Sequence, residues 1–281
     1  MVSVQRFIYD EPALFKATAE FVRLFGRVAD PVVAVSSRET SDNARIAWTL
    51  LGTDLFQDVS RAEFAALMGA LQDAFPGERL WTLPVPKAGE IETCVESAFG
   101  CRSWSMFENA AGIFWSVGLF VRRRGDMRRW LAERTPEEIW RDLGEIYFMG
   151  KGNPRPKVCA AIYRLLTPAP VGLGYGCAAS PKWPPLPLTM GMRRYLSILG
   201  PAKDGFADLE PTQKQKLATD FYVAVARALT EASAAVDVSN AYLAAHSLQF
   251  FLEEGVDGFA CREATARCSG CPLREYCSYA E

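Results

Sequence analysis

Histidine is almost absent from this chain: its 281 residues include one, His246. Chemistry that needs a histidine pair is excluded. His246 itself, in the apolar stretch AYLAAHSLQFF, is expected to be a hydrogen-bonded core residue rather than a proton shuttle. No apolar run is long enough to cross a membrane. The longest, AAGIFWSVGLFV at 110–121, is short and interrupted by glycine and serine. The opening MVSVQRFIYDEP lacks the basic start, apolar core and small-residue cleavage site of an export signal. A soluble cytoplasmic protein with no membrane partner is therefore expected. Its eight cysteines would then face a reducing medium, where metal ligation is favoured over disulfides.

Acid is missing locally as well. The net charge is −2, yet no Asp or Glu occurs from Ile146 to Lys203. That stretch carries Lys151, Arg155, Lys157, Arg164, Lys182, Arg193, Arg194 and Lys203. Just before it, VRRRGDMRRW adds Arg122, Arg123, Arg124, Arg128 and Arg129 around the single Asp126. A long acid-free basic stretch in a net-acidic chain points to a face that meets a polyanion. A solvated basic helix and loop is the plainer alternative.

Strand alternation is scarce too, and only PVVAVSS (31–37) reads as either a strand or a buried helix. Helical spacing of apolar residues fills most of the rest: 11–28, 43–56, 60–75, 126–133, 135–148, 156–166, 192–199, 212–236 and 239–254. Thr135, Pro136 and the acids behind them make a good helix start. The Pro- and Gly-rich segment 167–190 should be a loop or an interdomain crossing. The fold class is all-α, with two helical lobes divided near that loop.

What is abundant is cysteine at the far end. CREATARCSGCPLREYC (261–277) places Cys261, Cys268, Cys271 and Cys277 in the pattern C-x6-C-x2-C-x5-C. Structural zinc usually takes two close ligand pairs, whereas only Cys268 and Cys271 form a knuckle here. Four thiolates wrapped from one segment around a compact centre suit a [4Fe-4S] cluster; zinc is the alternative. Arg262, Arg267 and Arg274 lie among the ligands, placed to offset cluster charge or to reach an anion.

This spacing, together with CSGCPL, resembles the C-terminal cluster loop of the helix-hairpin-helix DNA glycosylases, the superfamily of endonuclease III and adenine-DNA glycosylase. The resemblance implies a cluster that stiffens a DNA-contacting loop and breaks no bond. It extends upstream. FMGKGNPRPKVCAAIYRLL (148–166) sets Gly150 and Gly152 between two helices, similar to the hairpin turn whose amides grip a phosphate. Asn153, Pro154, Arg155 and Pro156 make this turn longer than the family's. Lys157 looks similar to the lysine that follows the turn in lyase-competent members. SVGLFVRRR (116–124), DPVVAVSSRETSDNA (30–44), LTMGMRRYLSIL (188–199) and NAYLAAH (240–246) resemble further family segments. On this likeness 31–166 is a helical barrel-like domain ending in the hairpin. Residues 1–30 with 167–281 form a second helical domain carrying the cluster loop.

One departure bears on activity. Thr189 stands where the family has its catalytic aspartate, and threonine supplies no formal charge to a sugar cation. Glu108, Asp142 and Glu145 are the acids considered as replacements, the last two read as solvent-facing. Lys157 could serve as a Schiff-base nucleophile. Cys94, Cys101, Cys159 and Cys177 read as ordinary thiols. Among the aromatics Trp115, Trp130, Tyr175, Trp183 and Tyr195, loop-borne Trp183 is the expected wedge beside a flipped base.

The expected protein is thus a monomeric, nucleoid-associated DNA-repair or modified-base reader, bound to double-stranded DNA that is damaged or has a flipped base. It would grip DNA through Arg122, Arg123, Arg124, Arg128, Arg129, Gly150, Lys151, Gly152, Arg155, Lys157, Trp183, Arg193 and Arg194. The alternative is an active atypical N-glycosylase using Lys157 or a relocated acid.

Overall fold

The structure, a computed structural model, describes residues 3–100, 103–150, 155–180, 182–203, 205–230, 238–255, 258–259, 261 and 268–280. The helices in chain order are α1 (Val4–Asp10), α2 (Pro12–Phe25), α3 (Pro31–Ser36), α4 (Asp42–Leu55), α5 (Arg61–Ala74), α6 (Ala88–Phe99), α7 (Phe107–Arg124), α8 (Met127–Ala132), α9 (Pro136–Leu143), α10 (Pro156–Leu166), α11 (Met190–Ile198), α12 (Pro211–Leu229) and α13 (Val238–Leu248). Extended structure among the described residues is one two-residue antiparallel pair, Glu254–Gly255 with Gly258–Phe259. The chain is all-α. Among the described residues no helix is long and apolar enough to cross a membrane. It divides into a terminal unit, Met1–Val28 with Pro185–Glu281, and a middle unit, Ala29–Pro184.

The middle unit is built around α4. Ile46, Trp48, Leu50, Leu51 and Leu55 bury all sides of this helix, as expected for one surrounded by others; α3, α7, α8 and α10 pack on it. The ambiguous 31–37 stretch is helix α3, because Asp30 caps it by accepting from the Val32 and Val33 amides at 2.9 and 3.4 Å. The Thr135 start is present as a full capping box with Glu138. Gly118 is required by close approach: a Cβ there would meet the Leu80 carbonyl oxygen at 2.4 Å.

The sequence places the seam near 166/167, but the structure puts it at 184/185. The reason is the end of α10, whose last carbonyls need donors. Leu173, Tyr175 and Gly174 amides supply them, bonding Arg164, Leu165 and Thr167 carbonyls at 2.8, 2.9 and 2.9 Å. Ala178 N–H bonds the Arg134 carbonyl at 2.8 Å, and the Tyr163 hydroxyl bonds the Pro184 carbonyl at 2.5 Å. The Pro/Gly-rich segment up to 184 is thereby stitched to the middle unit.

In the terminal unit α2, α12 and α13 pack together, with α1 on α2 and α11 on α13. Their core is aromatic: Phe21, Phe25, Tyr195, Phe221, Tyr222 and Phe250 are fully buried. Gly191 lets α11 approach closely, since a Cβ would stand 2.2 Å from the Gln249 carbonyl oxygen. His246 is buried, with Nε2 2.8 Å from the Val28 carbonyl and Nδ1 2.8 Å from the Gln249 amide nitrogen. It is a hydrogen-bonded core histidine. α12 ends at Leu229, and 231–237 lie outside the described residues.

Candidate functional site

In the terminal unit, Cys261, Cys268, Cys271 and Cys277 line one small cavity. The loop reaches this arrangement by tight turns: Cys271, Arg274 and Cys277 amides bond the Cys268, Cys271 and Arg274 carbonyls at 3.1, 3.1 and 3.3 Å. Leu273 is the buried anchor, and Phe21, Phe251 and Leu252 supply apolar wall. Burial pushes the Cys271 thiol up, and the charges of Cys261, Cys268 and Cys277 push the same way. Four thiolates so placed repel one another unless a cation sits among them. Among the described residues no three Cys, His, Asp or Glu side chains converge closely enough to hold one metal ion. These four thiols are the groups that could hold a cluster with one Cys ligand each. Arg274 also lines the cavity; Arg262 and Arg267 lie outside the described residues.

Also in this unit, Thr189 is the N-cap of α11, its hydroxyl accepting from the Met192 amide at 3.2 Å and donating to the Tyr222 phenol oxygen, whose own O–H goes to the Pro187 carbonyl at 3.0 Å. Arg193 is exposed, whereas Arg194 is tied to the Leu252 carbonyl. Tyr195 is a core residue bonded to the Thr18 hydroxyl.

In the middle unit, between α9 and α10, Gly150 has φ 99°, which suits glycine alone. Lys151, Gly152, Asn153 and Pro154 lie outside the described residues. α10 begins at Pro156, so Lys157 is in its first turn. Its ammonium donates to Asp54 Oδ1 at 2.6 Å and to the Asp54 carbonyl at 3.0 Å. Asp54 has a fully buried side chain, and its Oδ2 has no hydrogen-bond partner. Burial pushes this carboxyl up to about 6, against the opposing pull of Lys157. Phe148 stands beside the pair, exposed, at φ 71°, with its ring centre 5.2 Å from Lys157 Nζ. A left-handed aromatic residue stores roughly 1–3 kcal/mol of strain, a feature found most often at ligand sites.

Neither Asp54 nor Phe148 was among the expected site residues. Asp54 reads from sequence as the end of an amphipathic helix, and its lysine lies 103 positions away. The acids that were considered differ from expectation in part. Asp142 is buried, not solvent-facing, because Arg134 at 3.1 Å, Arg141 at 3.4 Å and Arg124 at 3.9 Å surround it. Glu145 is exposed and paired with Arg124 at 3.0 Å, and Glu108 is exposed in the first turn of α7.

The expected basic grip is partly neutralised at home. Arg128 pairs with Asp42 at 3.0 Å and Arg129 with Glu133 at 2.6 Å. Arg155 turns inward, its guanidinium 4.3 Å from the Trp140 ring centre. Arg122 and Arg123 are exposed and have no acidic partner among the described residues. Trp183 stacks on Tyr163 at 6.0 Å and is half-buried. Trp115 is exposed but bonded to the Pro86 carbonyl, Trp130 is core, and Tyr175 bonds Asp42. Cys94 and Cys159 are buried thiols, Cys159 pushed up to about 12 by burial, and Cys177 is half-buried; Cys101 lies outside the described residues.

No family model, no curated protein and no solved structure matches the chain.

Proposed function

We propose that this chain is a DNA-binding iron–sulfur protein of the helix-hairpin-helix glycosylase type, acting in DNA repair or modified-base recognition as a nucleoid-associated cytoplasmic monomer. The observation that carries the reading is the convergence of Cys261, Cys268, Cys271 and Cys277 on one cavity with apolar walls. A bound [4Fe-4S] cluster would supply the positive core that lets four thiolates coexist there, and would fix the loop that holds them. Exposed Arg122, Arg123 and Arg193, with the Gly150 turn, are the groups available to phosphates. The test is anaerobic purification with iron and sulfide analysis, followed by duplex binding across a salt series. Close to four irons per chain and a salt-sensitive affinity are expected. Zinc in place of iron, or no affinity for DNA, refutes the reading.

The buried Asp54–Lys157 pair favours a second reading, an atypical N-glycosylase. The family aspartate is replaced by the capping residue Thr189, but the hairpin lysine has an acid of its own. Base release from a panel of lesion duplexes, lost in Lys157→Ala, tests it. Binding without release from any duplex leaves the non-catalytic reader.

A further inference from the structure

We propose that the solvent face of α7, with Tyr147 and Phe148 beside it, is a stacking platform for an unpaired nucleic-acid strand. The proposal rests on the DNA-binding reading above for its class of ligand and adds the strand state.

Helical spacing puts Gly112, Trp115, Leu119, Arg122 and Arg123 on one side of α7. Large apolar groups meet water there: Trp115 is 40 % exposed and Leu119 37 %. Tyr147 and Phe148, 50 % and 39 % exposed, extend the same surface. These rings are tethered in the open. The Tyr147 hydroxyl donates to Asn109 Oδ1 at 3.1 Å, and its amide donates to Ser116 Oγ at 2.8 Å. The ring itself rests on Gly112, where a Cβ would stand 3.1 Å from it. Glycine weakens a helix interior relative to alanine, and here the vacant Cβ position is where the ring lies. The Trp115 indole N–H donates to the Pro86 carbonyl at 2.7 Å. Phe148 is held outward by its left-handed backbone, its ring centre 5.2 Å from that of Tyr147.

Charge selects the occupant. Arg122 and Arg123 continue the face beyond Leu119, exposed and with no acidic partner among the described residues. Glu108, the acid on α7, lies at the opposite end of the helix. Glu145 is neutralised by Arg124 at 3.0 Å. Exposed aromatic rings that lead to unneutralised guanidinium groups match a chain of bases joined by phosphates, since rings stack on bases and guanidinium binds phosphate. A duplex keeps its base faces inside its own stack, so the platform favours an unpaired strand. An apolar protein partner would leave both arginines without counter-charge.

The test is fluorescence anisotropy of the full-length protein with three labelled probes of about 12 nucleotides: oligo(dT), an abasic strand and a duplex. The abasic strand keeps the phosphates and lacks the bases, so its difference from oligo(dT) reads stacking. Oligo(dT) is expected to bind at least about ten-fold more tightly than the abasic strand. Trp115→Ala and Tyr147→Ala should each weaken oligo(dT) binding about five-fold or more and leave the abasic strand unchanged. Tyr147→Phe should keep most of the affinity. Gly112→Ala favours the helix and displaces the ring, so it should weaken oligo(dT) binding without lowering the melting temperature. Equal affinity for oligo(dT) and the abasic strand, or wild-type affinity in both aromatic-to-alanine variants, overturns the proposal. Duplex binding without oligo(dT) binding overturns it and leaves the DNA-binding reading standing, whereas failure of all three probes refutes both. Self-association of the wild type in sedimentation, abolished by Trp115→Ala, assigns the face to a second copy of the chain and also overturns it.

Discussion

Replacing Asp54 by asparagine should change how stability depends on pH, and the direction follows from burial. The Asp54 carboxyl titrates at about 6 in the folded chain against 3.8 for the free side chain. Between those values the folded state binds more protons than the unfolded one, so stability falls as pH rises through this window. Each pKa unit corresponds to about 1.4 kcal/mol, so the wild type should lose about 2 kcal/mol between pH 4 and pH 6.5 from this group alone. Other carboxylates titrate in the same range with the opposite sign, so the informative quantity is the difference between two proteins. Asp54→Asn keeps the shape and removes the titration. Denaturant unfolding at half-unit intervals from pH 4 to pH 8 measures it, with the transition followed by two probes because the chain has two units. The asparagine variant should gain stability relative to wild type as pH rises from 4 to 6.5, then run parallel above. Curves that are parallel throughout would show that Lys157 fully offsets the burial of Asp54, and would refute the argument from desolvation.

Replacing Arg122 and Arg123 together by serine should lower the salt dependence of DNA binding by about two phosphate contacts, near 0.9 each in log–log slope. The same exchange at Arg128 and Arg129, which already have carboxylate partners, should change it less; equal losses would refute the assignment. Arg164→Met should destabilise the middle unit by about 3–5 kcal/mol in denaturant unfolding. It leaves Asp30 buried, having removed bonds at 3.1 Å to both carboxylate oxygens.

Local rules made much of this chain legible. α10 spans 156–166 as its apolar spacing and its opening proline require, and α9 opens on the predicted Thr135 box. The four cysteines that stand close together in the sequence line one cavity. Long-range pairing was hidden. Asp54 and Lys157 meet across 103 positions, and nothing in GTDLFQD marks that aspartate as different from its neighbour Asp58. The burial of Asp142 depends on three arginines brought in from α7 and around α9, which single-residue polarity does not reveal. Trp183 read as a free loop aromatic because its partner, Tyr163, lies on the preceding helix. The seam moved for a similar reason, since orphan carbonyls at the end of α10 recruit a segment whose composition says only loop. α6 was overlooked although Ile91, Cys94, Val95 and Phe99 carry the helical spacing of its buried face; its polar remainder masked the pattern.

The terminal unit joins residues 1–28 to residues 185–281, and this has a consequence for biogenesis. The apolar face of α2, with Leu14, Phe21, Val22 and Phe25, leaves the ribosome long before α12 and α13, the helices that cover it. At translation speeds of about 5–20 residues per second, the intervening middle unit delays that cover by roughly 10–30 s. During that interval a greasy helix waits at the surface of a nascent chain, a natural ligand for a holdase chaperone.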